Sequence, residues 1–332
     1  MHDTREPTLA PLPARPRVTV ITFCKDRAWC IEQCVQSVLI QDYGDLEYIV
    51  QDGASRDGTL ELLNKYRDRV RVFSEPDRGP IDAFHKALAR VTGDIFCMLL
   101  SDERFDGANV VSRVVDAFMR HPDAGAIYGD FRLVDADYRE ISVQRKRQFT
   151  FEDIFCQREF VAPCAGFVRT DALRENGAFR PDLRSFFDVI GDYGLWVYVG
   201  SRFPLVYVPG TIADFMVHEG EISHGLEHCQ AYIRECETAI EAFESDAYTP
   251  RQLAALKEQA RAQLYLNYSN VLAGKYVSET LQLAWKSVRT RPRLALSKTF
   301  LAVLLKSAGL FRFLPRRADG KRMKPSHLEA FH

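Results

Sequence analysis

The chain has no CxxC pair among its eight cysteines, which excludes a zinc ribbon or a thioredoxin-type redox site. Cys30 and Cys34 fall four apart on an expected helix and Cys97 in an expected buried strand, where a reduced thiol acts as a small apolar side chain. No glycine follows the first expected strand, so the dinucleotide fingerprint G-x-G-x-x-G is missing. Neither G-x-x-x-x-G-K-[ST] nor G-x-S-x-G occurs, which removes P-loop nucleotide hydrolysis and nucleophile-elbow hydrolysis. There is no excess charge of one sign: 44 Lys and Arg stand against 45 Asp and Glu, a net of −1, unlike the basic balance of a nucleic-acid binder. No apolar run reaches the ~18 residues of a membrane span. The first residues lack the basic-then-apolar order of a secretory signal, so a cytoplasmic location is expected.

What is present is globular: 46% hydrophobic and 27% charged residues over 332 positions. At ~150 residues per domain this length predicts two domains, or one large α/β domain with an extension. Four prolines within residues 1–16 predict a loose leader. Strands are expected at Val18–Phe23, Leu46–Val50, Val70–Phe73 and Ile95–Leu100, with another beginning at Ala126–Tyr128. Helices are expected at Ala28–Ile40, Asp57–Tyr66 (Asp57 as N-cap), Ile81–Val91 and Ala108–Met119. Strand and helix alternate with short connections, and the strands are nearly all apolar. That pattern predicts a mostly parallel sheet flanked by helices, an α/β fold.

In such sheets ligands bind beyond the carboxyl ends of the strands. The loops there are rich in acids: Lys25-Asp26-Arg27, then Asp52-Gly53-Ala54-Ser55-Arg56-Asp57-Gly58-Thr59, then Glu75-Pro76-Asp77-Arg78-Gly79, then Ser101-Asp102-Glu103. Asp52, Asp77 and Asp102 should therefore converge on one edge. Acids gathered in this way are tolerable when they hydrogen-bond a ligand or hold a cation.

The residues from Val18 to Leu63, with DGxSxDGT at Asp52–Thr59, EPDxGxxDAxxK at Glu75–Lys86, TGD at Thr92–Asp94 and the SDE turn at Ser101–Glu103, resemble the family 2 glycosyltransferases in order and spacing. The resemblance covers about residues 17–220. It implies the GT-A fold and an inverting, nucleotide-sugar-dependent transferase, a hexosyl- or related transferase. By it, the domains are a leader (1–16), a catalytic domain (17–225, with a nucleotide-sugar half at 17–130 and an acceptor half at 131–225) and a helical C-terminal region (226–332). It places Phe23, Lys25 and Asp52 at the base and ribose, and Arg78, Asp82 and Lys86 over the sugar and diphosphate. Ser101 and Asp102 fall in the metal-binding turn, with Asp102 on a divalent cation, Mn²⁺ or Mg²⁺. Glu103 and His218 are the further candidate ligands, and Asp192 in Gly191–Trp196 is the general base. The residue chemistry also allows plainer roles: an Asx turn at Asp52, an ion pair between Asp82 and Lys86 one turn apart, and a helix cap at Asp192. Leu100, Gly194 and Met216 depart from the family pattern, which leaves a catalytically degenerate nucleotide-sugar or glycan-binding module as the alternative.

The implied partners are a nucleotide-sugar donor, UDP-sugar favoured, and a glycan or lipid-linked acceptor in cell-envelope or exopolysaccharide synthesis. From Glu227 onward the apolar spacing is helical. Between Lys286 and Lys324 twelve Lys or Arg face one acid, Asp319. Residues 297–314 are apolar but interrupted by Lys306 and Arg312, too polar to span a bilayer. They are expected either to lie peripherally on an anionic membrane surface or to pack as a core helix.

Overall fold

The computed structural model describes residues 8–175, 178–179, 193–217 and 226–308. The chain divides into two units, residues 1–149 with 161–219 and residues 150–160 with 220–332.

In the first unit the β-branched run becomes the centre of a sheet. Strand β1 (Val18–Cys24) is buried along its length except at half-buried Phe23. It pairs in parallel with β2 (Leu46–Asp52) on one side and β4 (Ile95–Met98) on the other, and β3 (Arg71–Ser74) pairs in parallel outside β2. A strand buried on both faces has no use for alternation, which is why β1 and β4 read as nearly unbroken apolar runs, whereas edge strand β3 is exposed at both ends. Helices α1 (Ile31–Leu39), α2 (Thr59–Asn64) and α3 (Pro80–Leu88) make the crossovers. Helix α1 starts three residues later than its apolar spacing predicts, after a turn in which the Arg27 carbonyl accepts from Cys30 and Ile31.

Beyond β4 the pairing changes. The remaining elements are β5 (Arg104–Phe105), α4 (Val110–Arg120), β6 (Ala126–Val134), β7 (Glu140–Gln144), α5 (Phe151–Phe155), β8 (Gly166–Arg169), a small hairpin of β9 (Arg174–Glu175) and β10 (Ala178–Phe179), helix α6 (193–200) and β11 (Leu205–Met216). The sheet order is β3-β2-β1-β4-β8-β6-β11-β5, with β7 on β6. Strand β8 is antiparallel to both β4 and β6, while β6 and β11 are parallel. The sheet is therefore mixed, with its purely parallel stretch confined to the first four strands. Gly166, at the start of β8, has no room for a side chain, because the Trp196 ring of α6 occupies that space. The described part of the leader is held at Ala10, whose N–H donates to Asp171 (3.1 Å) and whose carbonyl accepts from the buried Arg169 guanidinium.

The second unit is helical. It comprises α5 with α7 (Leu226–Ala242), α8 (Pro250–Leu272), α9 (Val277–Thr290) and α10 (Lys298–Ser307). Thr249 opens α8 with a capping box to Gln252 and Pro250 in the first turn, each satisfying or removing an end N–H. Helix α5 belongs here because Phe155 packs on Phe243 (4.7 Å between centroids), Tyr248 donates to Glu152 (2.6 Å) and Asn267 donates to the Gln157 carbonyl (2.8 Å). All eight cysteines are free and buried, as expected of core thiols.

Candidate active site

The register sets the carboxyl ends of three strands level, since Cys24 faces Asp52 and Asp52 faces Ser74. The loops that follow are laced together. Asp26 N–H donates to Ser55 Oγ (2.8 Å), Arg56 N–H to Asp26 (2.8 Å), Arg27 N–H to Thr59 Oγ1 (2.8 Å) and Ala28 N–H to Asp57 (2.9 Å). Asp57 also accepts from Thr59 N–H (3.0 Å), so it caps α2 from one position before the left-handed Gly58 while tying the first loop to the second. At Gly53 the first three loops touch: a Cβ there would strike the Asp77 carboxylate and stand 3.2 Å from Lys25 Cβ. Glycine permits this close approach, since any side chain there would have to push the Asp77 carboxylate aside.

Asp52 is fully buried. Its carboxylate accepts from Ser55 N–H (3.0 Å), Ser55 Oγ, Ser74 Oγ (2.6 Å) and the Cys24 thiol (3.8 Å). The bond comes from the N–H three residues on rather than the two of an Asx turn, and the same acid fastens three strand ends. Half-buried Asp77 accepts from Gly79 N–H (2.9 Å). Phe23 meets Phe84 of α3 edge-on (6.4 Å), and Lys25 is exposed beside it. On α3, Asp82 pairs with Lys86 at 3.1 Å, as the sequence spacing suggests, and also with Arg78 at 3.2 Å. The Arg78 N–H and these two side chains hold the Asp82 carboxyl down to about 2. Lys86 also donates to the Pro76 carbonyl (2.6 Å), bracing the third loop. Arg90 does the same from the next turn, pairing Glu75 (2.7 Å) and lying 4.4 Å over the Phe73 ring.

The fourth loop follows β4, so β1 lies between the strand ends that carry Asp52 and Asp102. Ser101 and Glu103 are buried and Asp102 is half-buried. Glu103 bends back into its own turn, accepting from Leu100 N–H (2.7 Å) while its own N–H donates to the Leu100 carbonyl (3.0 Å). Burial, and then the negative charge of Asp102, raises the nearby Cys30 thiol to about 12. Among the described residues no three His, Cys, Asp or Glu side chains gather as a metal cage. A hard cation shared with phosphate oxygens needs only one or two carboxylates. Asp102, half-open at the strand edge, fits that arrangement, and Glu103 does so only by leaving its turn. Asp192, His218 and Ser223 lie outside the described residues. Helix α6, which follows residue 192 in the chain, is anchored by buried Leu195, Trp196 and Val199.

Two features escape sequence reading. Fully buried Asp214 on β11 accepts from Arg104 (2.7 Å) and Arg132 (2.7 Å), and Arg132 also reaches Asp106 (2.7 Å). Hydrogen bonding to Asp214 raises the Arg132 pKa further. The partners are up to 110 positions apart, so no local pattern announces them. The second feature is backbone strain. Besides Gln157 (52°) after α5, Asp26, Ala54 and Tyr138 have positive φ (53°, 60° and 58°) without being glycine. Two of them sit in the ligand-edge loops. The third, at the β6–β7 turn, lays its ring 4.1 Å from the Arg104 guanidinium. Such strain persists where the surroundings over-determine it, and it clusters at functional sites. The missing glycine in Asp135-Ala136-Asp137-Tyr138 is the signal that could have found it.

Comparison with known proteins agrees with this layout. Residues 19–177 match the model of Glycosyl transferase family 2. An uncharacterized glycosyltransferase of Mycobacterium tuberculosis is 29% identical over 171 residues, 50% of this chain and 64% of that protein. A PGL/p-HBAD biosynthesis glycosyltransferase of Mycobacterium bovis is 26% identical over 130 residues, 38% of this chain and 51% of that one. The chain thus spans under two thirds of the length of these relatives. Among solved structures, a mannosyltransferase of Pyrobaculum calidifontis in complex with GDP-Man and Mn²⁺ superposes with a TM-score of 0.57 at 19% identity, over 99% of this chain and 89% of that one. Residues 1–349 of S. aureus TarS in complex with UDP-GlcNAc give 0.57 at 16%, over 92% and 95%. The fold is the GT-A fold, with helices added at the C-terminal side.

Proposed function

We propose that this chain, whose residues 19–177 match the model of glycosyl transferase family 2, moves a sugar from a nucleoside-diphosphate sugar to an acceptor hydroxyl with inversion. The observation that carries the reading is the single sheet edge on which the Asp52–Gly53, Asp77 and Asp102 loops follow β2, β3 and β4, three of the four parallel strands, with β1 between β2 and β4. Gly53 lets the loops close up, leaving half-buried Asp77 and Asp102 as carboxylates toward a ligand at that edge. Phe23 and exposed Lys25 would flank the base, and Arg78 and Lys86 would face the diphosphate while Asp82 holds them. Asp52 acts by fixing the loop that carries these groups, and by accepting from the nucleoside where Ser55 yields.

Mn²⁺ or Mg²⁺ would be held by Asp102 and the donor's phosphate oxygens, and supplies Lewis-acid neutralisation of the leaving nucleoside diphosphate. Glu103 and His218 are the further ligand candidates. Asp192 takes the proton of the attacking hydroxyl, an effect worth ~10²–10⁴ in rate. Attack from the face opposite the leaving group gives inversion. A UDP-sugar is the favoured donor, and the acceptor is a glycan or a lipid-linked sugar of a cell envelope, a reading supported by the relative that is named for PGL/p-HBAD biosynthesis.

The test is nucleoside diphosphate release from UDP- and GDP-sugars with Mn²⁺ and a panel of acceptors. Release should occur with one donor class and should collapse in Asp192→Asn while donor binding persists. Donor binding without release for any acceptor would instead identify a nucleotide-sugar or glycan-binding module.

A further inference from the structure

Helix α9 turns an apolar stripe to solvent. Val277, Leu281 and Trp285 recur every four residues, and each is exposed, Trp285 at 67%. The short helical turn that follows, Pro292–Leu296, ends on Leu296 at 90% exposure. Helix α10 anchors itself through fully buried Val303 and leaves Leu301 and Leu304 outside. Six of the ten exposed large hydrophobic side chains among the described residues therefore fall within Val277–Leu304. Single exposed apolar residues need no explanation, but a concentration of this kind marks a surface that meets something apolar.

The charges name the occupant. From Lys286 to Ala308 there are six Lys or Arg and no acid. Lys286 is committed to Glu237 (2.8 Å) and Lys306 to Asn270 (2.8 Å). Arg289, Arg293 and Lys298 are exposed and make no ion pair among the described residues. Arg289 continues the Val277–Leu281–Trp285 stripe by one more turn, placing a cation at its end. Leucines and a tryptophan, flanked by cations with Glu279 in the first turn as the one acid on α9, are the side chains that settle at the boundary between acyl chains and anionic headgroups. An apolar protein groove would match the leucines but leave the cations unanswered. No described helix is long and apolar enough to cross a membrane, so this chemistry is that of a surface contact.

We propose that the exposed face of α9 and the Pro292–Leu296 turn, with Leu301 and Leu304 of α10, docks this unit on an anionic lipid bilayer. The inference is independent of the catalytic reading. It extends the contact from the apolar stretch at 297–314, where the sequence suggests it, to α9, with Trp285 at its centre.

The test is flotation of the full chain with vesicles of phosphatidylcholine alone and of equal parts phosphatidylcholine and phosphatidylglycerol. The protein should float with the anionic vesicles only, and less so at high salt. Trp285→Ser with Leu296→Ser should lower the bound fraction about tenfold or more. Each of Arg289→Gln, Arg293→Gln and Lys298→Gln should weaken partitioning about fivefold, the effect of one cation near an anionic surface. Trp285→Phe should still float, yet lose most of the tryptophan quenching produced by brominated lipid. The proposal is overturned if the wild type stays unbound, if the double variant floats like the wild type, or if light scattering shows a dimer that the double variant dissolves. Circular dichroism confirms that each variant is folded. Because nucleoside diphosphate release is measured separately, failure of either reading leaves the other intact.

Discussion

The two halves of the sheet are held together differently. In the first four strands the polar groups at the ligand edge are satisfied by near neighbours, loop to adjacent loop, as with Asp57 to Ala28 and Asp52 to Ser55 and Ser74. In the second half the central polar contact is a fully buried aspartate clamped by two arginines, its register partners on the flanking strands β5 and β6, which lie 110 and 82 positions away in sequence. The first arrangement leaves half-buried Asp77 and Asp102 at the carboxyl edge of the strands. The second places charge inside the fold, where it fixes how β5, β6 and β11 meet.

Removing the clamp should have the largest effect. Asp214→Ala leaves Arg104 and Arg132 without their shared partner and should destabilise the protein by about 3–5 kcal/mol. Urea denaturation measures it. A cost under about 1 kcal/mol would mean water satisfies both arginines, and the contrast between the halves would dissolve. At the other end of the scale, Ala54→Gly should stabilise by about 0.5–1 kcal/mol, because φ of 60° is strained for alanine and free for glycine. If that variant also turns over more slowly, the strain serves the site. If it is destabilised, the loop lacing alone sets the conformation.

The same contrast explains what was legible in the sequence. Strands β1, β2 and β4 could be placed to within two residues, because burial on both faces writes an unbroken apolar run. The end of β2 extends to Asp52 because pairing with Cys24 and Ser74 continues past the last apolar residue. The acids of the strand edge were legible because each follows a strand. The antiparallel entry of β8 between β4 and β6 was not, since nothing local distinguishes a strand that pairs with distant neighbours. The packing of Thr150–Phe160 with the helical unit rests on Phe155 meeting Phe243, 88 positions later, and left no trace either. The apolar stretch at 297–314 was visible by composition. The α9 stripe was not, because only burial separates a core-facing stripe from an exposed one.

The central claim is that Asp102 helps grip a nucleotide-sugar through a divalent ion at the edge shared with Asp52 and Asp77. Calorimetric titration of a UDP-sugar into the wild type and Asp102→Ala, each with and without Mn²⁺, tests it most directly. Mn²⁺ should tighten wild-type binding about tenfold or more, equivalent to about 1.4 kcal/mol, and should leave Asp102→Ala unchanged. Equal metal dependence in the two proteins would contradict the account.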